Sequence, residues 1–168
     1  MTTATDKVDR GAGGNADILP PDAPAPLHEL LGRWQAITAE RLPTDTDFPF
    51  DELVGTYPGL GLVEPAVSPE GRLDYCYRRV GPSHQQHTGW AFEGRLFSDL
   101  IPARAAERVI QTYIEIFATG EPHYAESINL VHGSEPRTYV RLLLPLFDGE
   151  ERVVRLLGCW IWRGEGAG

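Results

Sequence analysis

Two histidines stand three residues apart in the segment Ser83-His84-Gln85-Gln86-His87, a spacing that places both imidazoles on one face of a helix. Imidazole is a common metal ligand, and it is also the side chain best suited to proton transfer near neutral pH. A structural zinc site needs four ligands, however, and no carboxylate or cysteine accompanies the pair in this segment. We therefore predict no metal site, and we expect both histidines to contact solvent or the local backbone.

The sequence lacks the common catalytic motifs. It has no nucleophile elbow of the form G-x-S-x-G, no phosphate-binding loop, no H-E-x-x-H motif and no dinucleotide fingerprint. We therefore predict no catalytic residues and no enzymatic activity. The alternative is a small enzyme with a cone-shaped α+β fold, which would need His84 or His87 to converge with Asp99 in a polar pocket.

The two cysteines, Cys76 and Cys159, both lie in apolar runs and have no paired ligand spacing such as C-x-x-C. A free cysteine in a reducing compartment behaves as a small buried hydrophobic residue. We expect two free thiols, and a disulfide between adjacent strands is the alternative.

The charge of the chain argues against a nucleic-acid partner. Its 168 residues carry a formal net charge of -9, whereas nucleic-acid binding depends on a surface that neutralises phosphates. No apolar stretch follows the first ten residues, and no run approaches the roughly 18 apolar residues of a membrane-spanning helix. We expect a soluble, cytoplasmic protein with neither nucleic-acid nor membrane partners.

The elements that must position these side chains are clearest in the second half of the chain. Residues 102–119 carry apolar side chains at helical spacing, with a proline at the start and a glycine after the end. Three strand-length runs follow at residues 123–131, 137–147 and 152–162, separated by turn sequences. The last run is apolar on both faces in its later half, which predicts a central position in the sheet.

The first half of the domain predicts a hairpin and several short elements. Residues 60–65 and 72–80 read as strands joined by a tight turn. A single helical turn is expected near Phe50, and the glycines and prolines over residues 81–101 favour short helices and loops.

The N-terminal part is expected to contribute one helix. Residues 1–26 are rich in Gly, Ala, Asp and Pro and predict a disordered arm, while residues 164–168 form a tail. Residues 27–42 predict a helix whose apolar stripe consists of Leu27, Leu30, Leu31 and Trp34. This stripe needs a cover, which is either a second copy of the chain in a homodimer or the outer face of the sheet near Trp160 or Ile161.

Several short motifs follow one another in a characteristic order. They are Trp34 with Leu42-Pro43, Tyr57-Pro58-Gly59-Leu60, Tyr77-Arg78-Arg79-Val80-Gly81, Thr88-Gly89, Gly94-Arg95-Leu96-Phe97-Ser98-Asp99-Leu100 and Leu144-Pro145-Leu146-Phe147-Asp148-Gly149. In this order the chain resembles the PAS-domain superfamily, and within it the PAS-like family of short stand-alone proteins in alphaproteobacteria. The succession of helix, hairpin, short helices, long helix and three strands is that of PAS domains as well.

The resemblance implies an α+β fold over residues 43–163, with a five-stranded antiparallel sheet of order 2-1-5-4-3, helices over one face and often a small-molecule cavity between them. We expect the cavity to be lined by Tyr77, Trp90, Phe92, Tyr113, Leu142 and Leu144. Simple core packing is the alternative for the aromatic residues. Arg79 and Arg95 are candidates to balance an anionic ligand, unless they form surface ion pairs.

Haem and flavin are disfavoured as cofactors. Haem-binding PAS relatives commonly place an axial histidine on the long helix, and residues 102–119 contain none. Flavin photosensors carry an Asn-Cys-Arg-Phe motif, whereas Cys76 lies in Asp74-Tyr75-Cys76-Tyr77. We expect a sensory or protein-interaction module that binds a small metabolite and signals through a protein partner or through dimerisation. A ligand-free structural adaptor with a filled core is a further alternative.

Overall fold

A five-stranded antiparallel sheet forms the centre of the fold, which is taken from a computed structural model that describes residues 18–163. The strands are β1 (Leu60–Val67), β2 (Leu73–Val80), β3 (His123–Ile128), β4 (Thr138–Phe147) and β5 (Val153–Trp162). They lie in the order β2-β1-β5-β4-β3, and neighbouring strands are antiparallel. The expected sheet order and the central position of the last strand are confirmed.

The helices surround this sheet on two sides. In the described part of the chain they are α1 (Ala25–Thr38), α2 (Phe50–Leu53), α3 (Pro82–Thr88), α4 (Phe97–Leu100) and α5 (Ala103–Thr119), with a 3₁₀ turn at Asp45–Asp47. The predicted long helix is α5, which ends at Gly120, whose φ of 68° is a left-handed conformation that favours glycine. Within residues 18–163, no helix combines the length and apolar character that a membrane span requires.

The side chains of the sheet point alternately into two separate hydrophobic layers. In β4, Leu142 and Leu144 pack in the layer beneath α1, whereas Leu143 packs in the layer beneath α5. We call the side of the sheet that α1 covers the outer face, and the side that α5 covers the inner face. The resemblance implied helices over one face in addition to the N-terminal helix, and the structure has α1 on the outer face, which was one of its two expected positions.

Helix α1 covers the outer face of the sheet of its own chain. Trp34 Nε1 donates a hydrogen bond of 2.8 Å to the carbonyl of Pro145, which joins α1 to β4. The stripe that we predicted as a dimerisation surface is buried by this contact within one chain and consists of Leu27, Leu30, Leu31 and Trp34. The expectation that a second copy covers these side chains is therefore not met, because the outer sheet face already does. A homodimer through another surface stays a prediction.

The position of α1 also differs in detail from the expectation. Ile161 packs at the margin of the outer layer, but the side chain of Trp160 points to the inner face. Consecutive residues of a strand face opposite sides, so that only one of the two can meet α1.

Packed structure begins before the predicted boundary. Ile18, Leu19 and Ala23 are buried in the outer layer, so the expectation of a disordered arm is wrong for residues 18–26. Ile18 and Leu19 are two adjacent large aliphatic residues that can be buried, although the average composition of residues 1–26 is poor in such residues. Residues 1–17 and 164–168, where the rest of the arm and the tail were expected, lie outside the described residues.

Both cysteines are free thiols. Cys76 is half-buried on β2 and Cys159 is buried on β5, and β1 lies between these two strands. A disulfide between adjacent strands is therefore incompatible with the topology. Burial raises the pKa of the Cys76 thiol, which keeps it in its unreactive protonated form.

Leu31→Glu tests whether α1 is part of the fold of a single chain. Leu31 is 6% exposed, so a carboxylate there would be buried without a partner. We expect the free energy of unfolding to fall by about 3 kcal/mol or more, measured by urea unfolding with circular dichroism. Ala36→Glu, at an exposed position of the same helix, is the matched control and should cost less than about 0.5 kcal/mol. A Leu31→Glu chain that stays equally stable and only halves in light-scattering mass would mean that α1 packs on a second copy.

Candidate functional site

The inner face is built around Trp160, whose indole lies against two glycines. Gly158 precedes it on β5, and Gly61 of β1 is the cross-strand partner of Gly158. A Cβ atom on Gly158 would lie 2.6 Å from Trp160 Cη2 and 2.9 Å from Leu143 Cδ2, and one on Gly61 would lie 3.2 Å from Trp160 Cζ3. The absence of side chains at Gly61 and Gly158 therefore makes room for the indole of Trp160.

Aromatic rings from β2, α3 and the loop before α4 surround Trp160. Its ring centroid lies 4.8 Å from that of His84 and 6.0 Å from that of Tyr77. Phe92 is 5.0 Å from both Tyr77 and His84, and most of these pairs meet edge to face. With Trp162, which is 6.0 Å from His84, these residues form what we call the inner aromatic cluster.

His84 is buried in this cluster, and neither of its ring nitrogens has a hydrogen-bond partner among the described residues. Burial lowers the pKa of His84 to about 3, and the neighbouring His87 acts in the same direction. The imidazole is therefore neutral at physiological pH. Two unsatisfied nitrogens in an apolar layer are a cost to stability that native proteins keep only rarely.

The structure does not bring His84 and His87 together as ligands or catalytic groups. His87 Nδ1 is 2.8 Å from the Ser83 carbonyl oxygen, and its ring stacks on Trp162 at a centroid distance of 5.5 Å. Asp99 is exposed and accepts a hydrogen bond of 3.3 Å from a backbone amide at the start of its own helix. The arrangement that the enzymatic alternative requires is therefore not formed. Over residues 18–163, no group of three His, Cys, Asp or Glu side chains could hold a metal ion.

The residues predicted to line a cavity divide between the two faces. Tyr77, Phe92 and Tyr113 do lie on the inner side of the sheet, in contact with the clusters beneath the helices. Trp90 lies at the margin, where its Nε1 donates a hydrogen bond of 2.7 Å to the His132 carbonyl. Of the six predicted residues, these three therefore pack in the clusters on the inner side of the sheet.

Leu142 and Leu144 were predicted to line the same cavity, and this prediction is wrong. Both are buried on the outer face under α1, and Leu143 between them is the residue that faces inward. Residues 142–147 are all apolar and residues 140–146 are all buried, so this part of the strand has no polar alternation that would indicate which side chains face which helix.

Arg141 is the inner-face residue that the sequence analysis missed. It is only 7% exposed, its Nη1 donates a hydrogen bond of 3.1 Å to His123 Nδ1, and its Cζ lies 5.7 Å from the ring centroid of Tyr113. An arginine at an alternate position of a strand ordinarily indicates a solvent-exposed face. Here the arginine faces the protein interior. The sequence feature that indicates this is its position between Val140 and Leu142 in a mainly apolar strand.

Two tyrosines lie within electrostatic reach of Arg141. Burial raises the pKa of Tyr113 well above its ordinary value, and the nearby charge of Arg141 opposes this shift. Burial likewise raises the pKa of Tyr77, and Arg141 opposes that shift too. Both hydroxyls are therefore neutral and can donate hydrogen bonds. The inner face thus combines apolar ring surfaces with a few polar groups, which is typical of small-molecule sites.

Arg79 and Arg95, the arginines considered as counter-ions for an anionic ligand, lie at the surface. Arg79 forms an ion pair with Asp51 at 2.5 Å and lies 4.6 Å from the ring centroid of Phe50. The guanidinium of Arg95 lies 5.2 Å from the ring centroid of Trp90. Surface ion pairing, the alternative for both, is confirmed for Arg79, whereas Arg95 contacts the Trp90 ring and the Ala91 carbonyl and forms no ion pair among the described residues.

Two concave regions occur among the described residues, and the smaller of them borders Trp160 of the inner aromatic cluster. One of about 470 Å³ is open and polar and borders the C-terminal end of α1, with Arg33, Arg41 and Asp47 in its wall. Its polar groups are already paired, since Asp47 binds Arg41 through both carboxylate oxygens. The other, of about 170 Å³, is apolar and lies beside Tyr57 and Pro58.

Gly158→Ala tests whether the Trp160 indole packs against the backbone of Gly158. The new methyl group would overlap the indole and approach Leu143, so we expect the free energy of unfolding to fall by about 1–3 kcal/mol. Thermal and urea unfolding measure this loss, and near-UV circular dichroism reports the indole environment. Gly149→Ala is the matched control, because nothing lies within 4 Å of a Cβ there. Equal stability of the two variants would contradict the packing described above.

Acid should destabilise the chain through His84. Its pKa is about 3 in the folded chain and 6.5 ordinarily, so the unfolded chain takes up the proton first as the pH falls. The contribution of neutral His84 to the free energy of unfolding is complete above pH 6.5. Between pH 6.5 and about 3 it declines by about 1.4 kcal/mol per pH unit. Urea unfolding at about pH 5 should therefore show a loss of about 2 kcal/mol relative to neutral pH.

His84→Leu isolates the contribution of this imidazole. Removing two unsatisfied nitrogens should raise stability at neutral pH by about 1–3 kcal/mol and flatten the acid dependence. His87→Gln is the control and should keep most of the acid dependence. If His84→Leu keeps all of it, another group is responsible.

Comparisons with known proteins identify the fold. No protein-family model matches the chain, and no curated protein matches it in sequence. A solved light-oxygen-voltage domain, studied with a flavin analogue, is 18% identical over 70% of this chain and 85% of its own, with a TM-score of 0.52. A PAS domain from Colwellia psychrerythraea is 11% identical over 68% and 97%, with a TM-score of 0.48. The N-terminal domain of a diguanylate cyclase with a PAS/PAC sensor, from Marinobacter aquaeolei, is 13% identical over 64% and 99%, with a TM-score of 0.45.

The first of these likenesses bears on the fold alone, and it agrees with the observed sheet order. The narrower resemblance to stand-alone alphaproteobacterial proteins stays a prediction. The chain has the fold of PAS domains, as its motifs and its order of elements predicted.

Proposed function

We propose that this chain is a PAS-type sensory module that holds a small metabolite on the inner face, between α5 and the sheet. The observation that carries the proposal is His84, whose two ring nitrogens are buried and have no hydrogen-bond partner within residues 18–163. An uncompensated polar group of this kind costs about 1–3 kcal/mol. Proteins retain such groups mainly where function needs them, and a ligand that hydrogen-bonds to the imidazole would offset the cost.

The packing of α5 supports the same location. Val109 and Ile110 point toward the inner layer but remain only half-buried, while Tyr113 and Ile116, further along the helix, are buried. These two half-buried side chains lie between the buried Ala106 and Tyr113, so the middle of α5 is incompletely packed on the inner layer. A small movement of the helix would open space beside Tyr77.

A ligand bound on the inner face could affect the edge of the sheet through α5. Helix α5 ends at Thr119 and β3 begins at His123, so that a displacement of α5 acts on an edge strand within four residues. Edge strands carry unpaired backbone groups that a partner can bind. We propose that the chain signals through a protein partner or through a homodimer that contacts this edge. Neither haem nor flavin is proposed as the ligand.

A second candidate is a ligand-free adaptor. It is favoured by the close approach of the rings in the inner aromatic cluster, whose centroids are 4.8–6.0 Å apart. An adaptor would keep this core filled and bind only proteins. The two candidates differ in whether any small molecule changes the environment of Trp160.

The four tryptophans allow a direct test by nuclear magnetic resonance. In a screen of a low-mass metabolite library, a compound bound on the inner face should shift the indole signals of Trp160 and Trp162. The signal of Trp34, which lies on the outer face and donates to Pro145, should not move. At a hundred times its dissociation constant such a compound should stabilise the chain by about 2.7 kcal/mol, measured by thermal unfolding.

Two substitutions on α5 provide the control. Ile110→Trp places a large ring at the half-buried position over the inner face and should abolish binding, whereas Gln111→Trp lies at an exposed position and should not. If no compound shifts Trp160, and native mass spectrometry of the freshly purified chain shows no bound mass, the adaptor is the correct reading.

A further inference from the structure

Arg141 is a buried cation that no acidic side chain of the described chain neutralises. It is the only arginine among residues 18–163 that is buried, and none of the ion pairs formed within this range includes it. Burial of a guanidinium without an anion is costly, because the charge loses its solvation by water and gains no partner in return. The chain has 24 acidic and 15 basic residues, so a shortage of carboxylates does not explain why Arg141 has no acidic partner.

The more exposed arginines show the contrast. Arg155, whose side chain is 33% exposed, pairs with Glu64 at 3.0 Å and also with Asp45. Arg41, whose side chain is 57% exposed, pairs with Asp47. Arg141, the most buried arginine among residues 18–163, therefore lacks the acidic partner that these less buried arginines have.

The groups that face Arg141 from each neighbouring element are neutral. Its cross-strand partners are Ala125 on β3 and Trp160 on β5, and Tyr113 faces it from α5. The remaining contact is His123 Nδ1, which must accept the hydrogen bond because a guanidinium can only donate. Glu126, the nearest acid on β3, pairs with Arg163 instead.

We propose that the molecule held on the inner face is a small organic acid, whose carboxylate binds Arg141. This inference rests on the proposed function and specifies its ligand class. The guanidinium has five N–H donors in a planar fork, and His123 accepts only one of them in this structure. The two oxygens of a carboxylate fit such a fork bidentately.

The surroundings favour a monocarboxylate with an apolar body. One buried positive charge balances one negative charge, so that a phosphate dianion would keep part of its charge unpaired in an apolar layer. The ring surfaces of Tyr113 and Trp160 can cover an apolar or aromatic body. The neutral hydroxyls of Tyr77 and Tyr113 are donors for the carboxylate oxygens.

The test compares acids with neutral analogues of the same shape. Acetate, benzoate, phenylacetate and indole-3-acetate are each paired with the corresponding primary amide, and inorganic phosphate is added as a separate arm. Binding is measured from the indole signals of Trp160 and Trp162 and from thermal unfolding of the full chain. We expect at least one acid to bind at least thirtyfold more tightly than its amide, and phosphate to bind no more tightly than acetate.

Substitutions of Arg141 complete the test. Arg141→Met should remove the preference for acid over amide and leave the chain at least as stable as before, because an unpaired buried charge is lost. Arg141→Lys, which keeps the charge but not the fork, should retain a weaker preference. Arg152→Met, at an arginine whose side chain is 67% exposed and which already has acidic partners, is the matched control and should bind like the unaltered chain.

The outcomes separate this inference from the proposed function. If acids and amides bind equally, or if Arg141→Met binds acids as tightly as the unaltered chain, the carboxylate assignment is wrong while a small-molecule site remains. It is also wrong if only neutral compounds of the metabolite library shift Trp160. If neither the library nor the paired compounds shift Trp160, the proposed function fails, and the ligand class fails with it.

Discussion

The central strand β5 is buried on both faces, and the rest of the fold depends on this constraint. From Leu156 to Trp160 every residue is buried, so successive side chains need apolar cover on opposite sides of the sheet. Helix α1 supplies that cover on the outer face, and α5 with the short helices supplies it on the inner face. The N-terminal helix is therefore an integral layer of the domain, because without it half of β5 and β4 would face water.

The two layers differ in chemistry. The outer layer consists mainly of aliphatic side chains, and its polar link from Trp34 to Pro145 is fully satisfied. Among the described residues, the inner layer holds an imidazole without hydrogen-bond partners, a guanidinium without a counter-ion and tyrosines whose hydroxyls remain neutral. Such groups lower stability, and the well-packed outer layer offsets their cost. Their confinement to one face of the sheet supports the proposed ligand site on that face.

Local patterns predicted much of this fold. The helical spacing over residues 102–119, with its proline and glycine ends, corresponds to α5 within one residue, and the two-sided apolar pattern of the last strand indicated its central position. The sequence patterns gave no prediction where more than one arrangement of the side chains fits them equally well. An uninterrupted apolar run in β4 did not reveal that Leu143, rather than Leu142, faces inward. The average composition of residues 1–26 concealed the buried pair Ile18 and Leu19.

The elements, their order, the need for two layers and the absence of common catalytic motifs follow from the order of the amino acids, because periodicity, capping and motif spacing are properties of neighbouring residues. The side chains that share a face with His84, and the groups that surround Arg141, become known from the three-dimensional fold. Those relations join residues far apart in the chain, such as His84 with Trp160 and Arg141 with Tyr113. Burial and electrostatic compensation depend on these distances, and no local pattern encodes them.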